Sequence, residues 1–171
     1  PTAQGVALRG IGGTAQSRSL VLVDGVPLND AFGGWIYWDK IPQVALDRIE
    51  VQRGSGSDVY GADAVGGVVQ LLTHRPGRTT GTALVEGGGL GTGRVSLFGG
   101  GRTRSVRYSA SGEWFDIDGY IPVSTEQDPG IAPRGPIDSL LGSTHLSGYA
   151  SMGYQAANGW RVDVVANVFD E

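Results

Sequence analysis

The 171-residue sequence contains no cysteine, which excludes both a disulfide framework and a thiolate metal site. It has only two histidines, His74 and His145, and they form no paired metal-ligand motif, so we expect no metal and no cofactor. The 13 lysine and arginine residues are outnumbered by 17 aspartate and glutamate residues. This lack of a basic excess argues against nucleic acid as a partner.

The sequence also lacks any apolar run of about 18 residues, the length that a membrane-spanning helix requires. A strand of a membrane β-barrel would not show such a run, since it needs only about ten residues of alternating polarity. Glycine is abundant instead, with 30 residues scattered among valine, leucine, serine, threonine and aromatic residues. This mixture favours many short strands joined by tight turns. The chain begins at Pro1 without a signal-peptide pattern and ends just after a periodic run, so we expect it to be a piece of a longer protein.

Residues 1–76 predict a compact α+β unit. Short apolar segments at 19–24, 48–53 and 67–73 predict strands, and residues 25–27 predict a turn after the first of them. Residues 42–46, 57–60 and 63–65 predict single helical turns. The run His74-Arg75-Pro76-Gly77 ends the unit.

Residues 77–171 follow a different pattern, in which polar and apolar side chains alternate. The alternation predicts five antiparallel strands, at 82–88, 93–100, 105–115, 143–155 and 160–169. A soluble β-sandwich or propeller would alternate in the same way. A lipid-facing surface should be free of charge, and four charged residues of the last three strands all fall on the opposite face: Arg107, Glu113, Arg161 and Asp163. The charge pattern therefore favours a transmembrane β-barrel.

The connections between these strands alternate in length. Segments 90–92, 101–104 and 156–159 are short, whereas segment 116–141 is long and predicts an extracellular loop, as in outer-membrane barrels. This loop carries five acidic residues, Asp116, Asp118, Glu126, Asp128 and Asp138. Scattered carboxylates can bind calcium, but without EF-hand spacing a solvated acidic loop is the favoured interpretation.

Two motifs in the first 76 residues resemble the plug domain of TonB-dependent outer-membrane receptors. The first is Leu8-Arg9-Gly10 followed by the run from Leu20 to Leu28, and the second begins at Ile49-Glu50-Val51-Gln52-Arg53-Gly54. Tyr60-Gly61 and Ala64-Val65-Gly66-Gly67 follow in the family's order, although Ser55 replaces its usual proline. The resemblance implies the C-terminal part of a plug domain at residues 1–76, followed by the first strands of a 22-stranded barrel.

The resemblance also assigns roles to single residues. Arg9 and Arg53 match arginines that, in the family, lock the plug to acidic residues of the barrel wall; solvated strand ends are the alternative. A buried charge needs such a partner, because leaving it unpaired costs several kcal/mol. Gly54, Tyr60, Gly61, Gly66 and Gly67 mark turns where the backbone approaches backbone or takes positive φ.

The segment between the first two strands carries an unusual density of aromatic rings. By resemblance it is an apical plug loop that faces the substrate, and its candidate ligand-binding residues are Asn29, Asp30, Phe32, Trp35, Tyr37 and Trp38. Aromatic rings beside polar groups suit an organic ligand with apolar faces or sugar rings. We expect about half of the rings to pack the plug instead, since large apolar side chains are mostly structural.

Two enzyme readings are weaker. Gly54-Ser55-Gly56 follows a strand, but the next glycine is Gly61 and no lysine completes a phosphate-binding loop. His145 and Ser147 share one strand face, so a nucleophilic pair is geometrically possible. They resemble the pair of outer-membrane phospholipases, but that pair faces lipid, whereas these two residues lie on the polar face. We therefore expect no enzyme.

The resemblance implies a receptor in the outer membrane of a Gram-negative bacterium. Such receptors take up scarce nutrients, for example iron-siderophores, cobalamin or glycans, and the plug occludes the barrel. Their energy comes from TonB, with ExbB and ExbD, acting on a segment N-terminal to the plug that this sequence does not contain. The alternatives are a passive porin or adhesin, and a barrel lipase that uses His145 and Ser147.

Overall fold

The computed structural model describes residues 3–8, 18–121 and 140–171. Within them the fold is mainly β-sheet, with one four-residue α-helix, α1 (Ser57–Tyr60), and short 3-10 turns at Trp38–Lys40, Gln43–Ala45 and Ala62–Ala64. The strands are β1 (Ala3–Gln4), β2 (Ser19–Val23), β3 (Val26–Pro27), β4 (Ile36–Tyr37), β5 (Leu46–Arg53), β6 (Gly67–Thr73), β7 (Thr80–Gly87), β8 (Gly93–Thr103), β9 (Val106–Tyr120), β10 (Leu141–Gln155) and β11 (Arg161–Asp170).

The first part of the chain forms a four-stranded sheet in the order β3-β2-β6-β5, and β1 pairs separately with β4. Strand β2 runs parallel to β6, whereas β3 and β5 pair with their neighbours in the antiparallel sense. The tight turn between β2 and β3 consists of Asp24 and Gly25, with φ of +49° and +89°. Asp-Gly is a preferred sequence for such a hairpin. The turn therefore comes earlier than the expected residues 25–27, and Val26–Pro27 is a strand that pairs with Leu22 and Val23.

Strand β2 is buried along its whole length, so it contributes side chains to a core on each face of the sheet. Val21 and Val23 pack on one face with Ile36, and Leu20 and Leu22 pack on the other with Ala64. The first of these two clusters also includes Tyr149 of β10. Burying an aliphatic side chain of this size stabilises a fold by about 1.5–3 kcal/mol, so β2 is the centre of this unit.

The second part of the chain is a five-stranded antiparallel meander in the order β11-β10-β9-β8-β7. Its outer face is apolar and exposed, with side chains such as Val85, Leu97, Tyr108, Trp114, Leu146, Met152, Tyr154, Val164 and Val168. Its inner face is polar and lies against the first sheet, with Ser96, Ser109, Glu113, His145 and Ser147 buried there. The predicted separation of the charges from the apolar face is therefore present in the fold.

Several predicted boundaries were wrong. Strand β9 continues through Asp116 to Tyr120, and its last residues pair with the start of β10, so residues 116–120 are strand and not loop. Strand β8 continues to Thr103, which leaves Arg104 and Ser105 as the turn in place of the expected 101–104. In both places the ladder hydrogen bonds continue past the end of the apolar pattern, because backbone pairing does not require an apolar side chain. The rest of the expected loop, at 122–139, lies outside the described residues.

Among the described residues, no helix has both the length and the apolar character needed to cross a membrane.

Candidate functional site

The segment from Asn29 to Lys40, here called the ligand loop, leaves the first sheet after β3 and returns at Ile41. Asn29 fixes its base, because its side-chain Oδ1 accepts a hydrogen bond from the backbone N–H of Val21 at 2.7 Å. The Asn29 amide nitrogen donates to the carbonyl oxygens of Ser19 and Gly34, each at 3.2 Å. With these three bonds made, Asn29 positions the loop and has little capacity left for a ligand.

Asp30 organises the tip of the ligand loop. Its Oδ1 accepts hydrogen bonds from the backbone N–H groups of Phe32 and Gly33, both at 2.9 Å. These bonds, that of Gly33 first, hold the pKa of the Asp30 carboxyl below its usual value. A carboxyl with a lowered pKa contributes its full stabilisation of the turn at pH values above its unfolded-state pKa of 3.8. This stabilisation is lost as the pH falls through the lowered pKa of the folded state. The tip is therefore held in one conformation at neutral pH.

The four aromatic rings of the loop differ in their exposure and in their contacts. Phe32 is 94 % exposed at the tip and meets Trp35 edge-on, with 6.5 Å between ring centroids. Trp35 is half-buried over Gly33, where a Cβ atom would come within 1.6 Å of the indole ring. Tyr37 lies under the Lys40 ammonium at 4.8 Å, and Trp38 packs against the core cluster of β2. Phe32 is thus the ring presented to solvent, and the others are partly buried.

The other residues singled out from the sequence lie elsewhere. Arg9 is outside the described residues, so the structure gives no position for it. Arg53 ends β5 with an exposed side chain, and in the described part of the chain no carboxylate forms an ion pair with it. Tyr60 ends α1, and Gly54, Gly61 and Gly67 have φ of +106°, +82° and +135°. Gly66 is buried against the Arg18 carbonyl, where a Cβ would come within 2.9 Å.

Sequence reasoning missed a buried carboxylate that joins the two sheets. Asp24 has a side chain that is 3 % exposed, and its Oδ2 accepts hydrogen bonds from the Thr73 hydroxyl at 2.5 Å and from the Tyr149 hydroxyl at 3.0 Å. Its Oδ1 accepts the Thr73 backbone N–H at 3.1 Å and lies 3.6 Å from an Arg75 guanidinium nitrogen. The signal available in the sequence was Tyr149 itself, an aromatic ring on an otherwise serine-rich face.

A second connection between the sheets surrounds His145, which sequence reasoning treated only as a possible nucleophile partner. His145 and Ser147 are 5 % and 1 % exposed, on the inner face of β10 beneath the ligand loop. The Ser147 hydroxyl has no hydrogen-bond partner among the described residues. Both side chains lie on the polar inner face of the meander, opposite its exposed apolar face.

The C-terminal end of the ligand loop and the 3-10 turn Gln43–Ala45 that follows it contact the inner face of the meander. The Asn167 side-chain amide on β11 donates to the Lys40 carbonyl at 2.6 Å and to the Gly148 carbonyl at 3.0 Å. Arg94 on β8 donates to the Gln43 side chain at 3.3 Å. The loop is therefore fixed to the inner face at the middle of β10 and near the C-terminal end of β11.

The described residues contain no group of three or more histidine, aspartate or glutamate side chains that could hold a metal ion. Of the acidic residues considered for calcium, Asp116 accepts a hydrogen bond from the Thr144 hydroxyl, and Glu126, Asp128 and Asp138 lie outside the described residues.

Comparison with known proteins agrees with this arrangement. Residues 1–68 match the TonB-dependent receptor plug domain family. The vitamin B12 transporter BtuB of Vibrio vulnificus is 44 % identical over 68 residues, covering 40 % of this chain and 11 % of that protein. The Vibrio cholerae BtuB is 37 % identical over 75 residues, covering 44 % of this chain and 12 % of that protein. The chain thus spans about an eighth of the curated relatives that it matches.

Solved structures extend the similarity over nearly the whole chain. The siderophore receptor PirA from Pseudomonas aeruginosa superposes with a TM-score of 0.60 at 26 % identity, covering 98 % of this chain and 30 % of that one. The ferric yersiniabactin uptake receptor FyuA from Yersinia pestis has a TM-score of 0.65 at 20 % identity, covering 98 % and 26 %. These relatives are transporters and receptors and not enzymes. Residues 1–68 therefore match the plug domain of the TonB-dependent receptors, which are outer-membrane proteins of Gram-negative bacteria, and the chain as a whole is similar in fold to solved receptors of this kind.

Proposed function

We propose that this chain is part of a receptor that takes up a scarce organic nutrient across the outer membrane by TonB-dependent active transport. In this proposal residues 1–76 belong to the plug and residues 77–171 are the first five strands of a 22-stranded barrel. The observation that supports it best is the inner face of the meander, where polar side chains lie against the first sheet while the apolar face stays exposed. A passive porin has a water-filled channel inside its barrel, so a packed sheet against the inner wall is not expected of it.

The nutrient classes we propose are an iron-siderophore, a cobalamin or a glycan. Relatives are described as a vitamin B12 transporter and as siderophore receptors, and the ligand loop presents an aromatic side chain on a turn held by hydrogen bonds. A rigid aromatic ring contributes large contact area at low entropic cost, which suits a sizeable organic ligand better than a bare ion. The proposed partners are TonB with ExbB and ExbD, the nutrient and outer-membrane lipid.

Uptake by cells tests the transport proposal. Cells that carry the full-length gene are grown on a panel of iron-siderophores, cobalamin and oligosaccharides, with and without TonB. We expect uptake of one ligand that disappears without TonB, because the outer membrane itself holds no ion gradient to drive transport. Uptake that is indifferent to TonB would contradict active transport and favour a passive barrel.

Phe32 is the residue of the ligand loop whose replacement should weaken ligand binding without changing the stability of the receptor. Phe32→Ala should weaken binding of the nutrient by roughly 10- to 100-fold, since burial of an aromatic ring in a complex contributes about 1.5–3 kcal/mol. The thermal stability of the free receptor should not change, because the Phe32 side chain is 94 % exposed. Isothermal titration calorimetry and differential scanning calorimetry on the purified receptor measure the two effects.

Val59→Ala is the matched control for Phe32→Ala, since Val59 is an apolar side chain on α1 that is 77 % exposed. Its ligand affinity should equal that of the wild type. Trp35→Ala should lower stability as well as affinity, because the Trp35 indole covers the loop backbone at Gly33. An unchanged ligand affinity in Phe32→Ala would show that the tip of the ligand loop is not part of the binding site.

A further inference from the structure

The polar cluster around His145 has a chemistry that ligand binding does not explain. His145 and Glu113 are each 5 % exposed between the ligand loop and the wall of the meander. Neither imidazole nitrogen has a hydrogen-bond partner among the described residues. Unpartnered buried polar atoms are rare in native folds, and each one calls for a physical explanation.

Two carboxylates face the two imidazole nitrogens, one from each part of the chain. Asp39 of the 3-10 turn Trp38–Lys40 places its Oδ2 3.9 Å from the imidazole Nδ1. Glu113 of β9 places its Oε1 4.0 Å from the imidazole Nε2, and its Oε2 accepts a hydrogen bond from the Ser96 hydroxyl at 2.8 Å. Asp39, His145 and Glu113, here called the triad, therefore span the boundary between plug and wall.

Aromatic rings hold the imidazole in this position. Phe115 stacks on it with 5.0 Å between ring centroids and an interplanar angle of 26°. Phe169 of β11 approaches at 6.2 Å with a tilt of 40°. These rings limit water around His145, and a poorly hydrated site strengthens the interaction between a charged imidazole and its carboxylates.

The other charges near the triad have partners of their own. Arg94 of β8 lies 4.0 Å from Glu113, but it also donates to Gln43 and pairs with Glu86, both at 3.3 Å. Lys40, next to Asp39 in sequence, places its ammonium over the Tyr37 ring. The groups that face the imidazole are thus two carboxylates, with Arg94 as the cation shared by Glu113.

We propose that the triad is a proton-dependent link between the plug and the barrel wall, formed when His145 is protonated and weakened when it is neutral. A protonated imidazole donates from both nitrogens, so it can bond Asp39 and Glu113 at once, directly after a small shift or through a bridging water. A neutral imidazole has one donor and one acceptor, and a carboxylate cannot donate to that acceptor. Histidine is the side chain that ordinarily makes this change between pH 5 and 8.

The link would regulate the ligand loop, so this inference rests on the proposed function. Asp39 lies at the end of the ligand loop, next to Trp38. A protonated triad would hold that end against the wall in addition to the Asn167–Lys40 hydrogen bond, and a neutral triad would leave that bond alone to hold it, so that the loop moves more. The expected result is a loop that is more tightly fixed in mildly acidic medium than in alkaline medium.

A distance measurement on the purified full-length receptor tests this without ligand and without TonB. This chain has no native cysteine, so nitroxide labels can be attached at Ala31→Cys on the ligand loop and Ala157→Cys in the β10–β11 turn, both exposed. Any cysteine in the rest of the receptor is first replaced by serine, so that only these two sites carry labels. Pulsed electron paramagnetic resonance then gives the distribution of distances between loop and wall. From pH 8 to pH 5.5 we expect the displaced fraction of the loop to fall by roughly tenfold, the size of a typical coupling between sites.

Two variants remove the link from opposite sides. His145→Gln, which keeps a polar side chain of similar length, should make the distance distribution independent of pH. Asp39→Asn should have the same effect, and it changes a partly exposed residue of the plug without altering the barrel wall. His74→Gln is the matched control, because His74 pairs with Asp47 at 3.3 Å away from the triad. It should keep the full pH dependence.

The outcomes separate this inference from the proposed function. A pH dependence that persists in both His145→Gln and Asp39→Asn, or one that disappears in His74→Gln, would overturn the triad. If the receptor shows the expected pH dependence but its uptake does not depend on TonB, the triad is supported and the transport proposal is contradicted.

Discussion

Replacing Asp24 with alanine is expected to destabilise the plug by about 3 kcal/mol or more, because the change leaves the Thr73 N–H, the Thr73 hydroxyl and the Tyr149 hydroxyl buried without an acceptor. Each unsatisfied buried polar group costs about 1–3 kcal/mol, and the Arg75 guanidinium, which is 43 % exposed, can turn to water at little cost. The measurement is the shift of the plug's unfolding transition in calorimetry of the purified receptor.

The same substitution should also loosen the plug in its barrel. Tyr149→Phe removes only the hydroxyl that reaches Asp24 across the two sheets, so it should cost about 1 kcal/mol. On the proposed function, in which the plug occludes the barrel, cells that carry Asp24→Ala should admit a large antibiotic that cells with the wild-type receptor exclude. Asp58→Ala is the matched control, since Asp58 is an exposed acid on α1. Equal unfolding transitions for Asp24→Ala and Asp58→Ala would show that the Asp24 bonds contribute nothing measurable.

Gly67→Ala is expected to lower the stability of the plug by roughly 3–5 kcal/mol, the combined cost of backbone strain and of overpacking. Gly67 has φ of +135°, and a Cβ added there would lie 2.5 Å from the Gln52 carbonyl oxygen and 2.6 Å from Leu8 Cδ1. The position begins β6, the strand that pairs with both β2 and β5. Many receptors carrying this variant should therefore fail to assemble, which immunoblotting of outer-membrane fractions would detect.

Two other glycines separate strain from crowding. Gly25 has φ of +89° but an added Cβ would meet nothing within 4 Å, so Gly25→Ala should show only the strain, about 1–2 kcal/mol. Gly77 has neither a positive φ nor a close neighbour, so Gly77→Ala should be neutral or slightly stabilising. If Gly67→Ala behaved like Gly77→Ala, the contacts around Gly67 would not limit stability.

The local structure was predictable because each element has its own signal. The alternation of polarity places Glu113 and Trp114 on opposite faces of β9 without any knowledge of the neighbouring strand. The short apolar run at 67–73 likewise predicts β6 with the bounds that the structure gives. The element ends were less predictable, since backbone ladders extend β8 and β9 into polar and glycine-rich sequence.

The contacts between the two sheets could not be read from the sequence. Asp24 and Tyr149 are separated by 125 residues, and alternation states which face a residue occupies but not what lies opposite that face. The same holds for Asp39 and His145. Aromatic density in the sequence predicts the ligand loop as a binding segment, but only the structure separates the exposed Phe32 ring from the half-buried rings beside it.

The place of Tyr149 in the core cluster of β2 has a consequence for receptor engineering. A plug cut out of this receptor would lose an aromatic side chain from its own interior, and a plug moved into a foreign barrel would meet whatever residue that barrel offers. A chimera should keep its native packing only when the host strand supplies a tyrosine at the corresponding inner position. The plug and the barrel wall therefore have matched surfaces. A plug that is exchanged between receptors has to be moved together with β10, the strand that carries Tyr149.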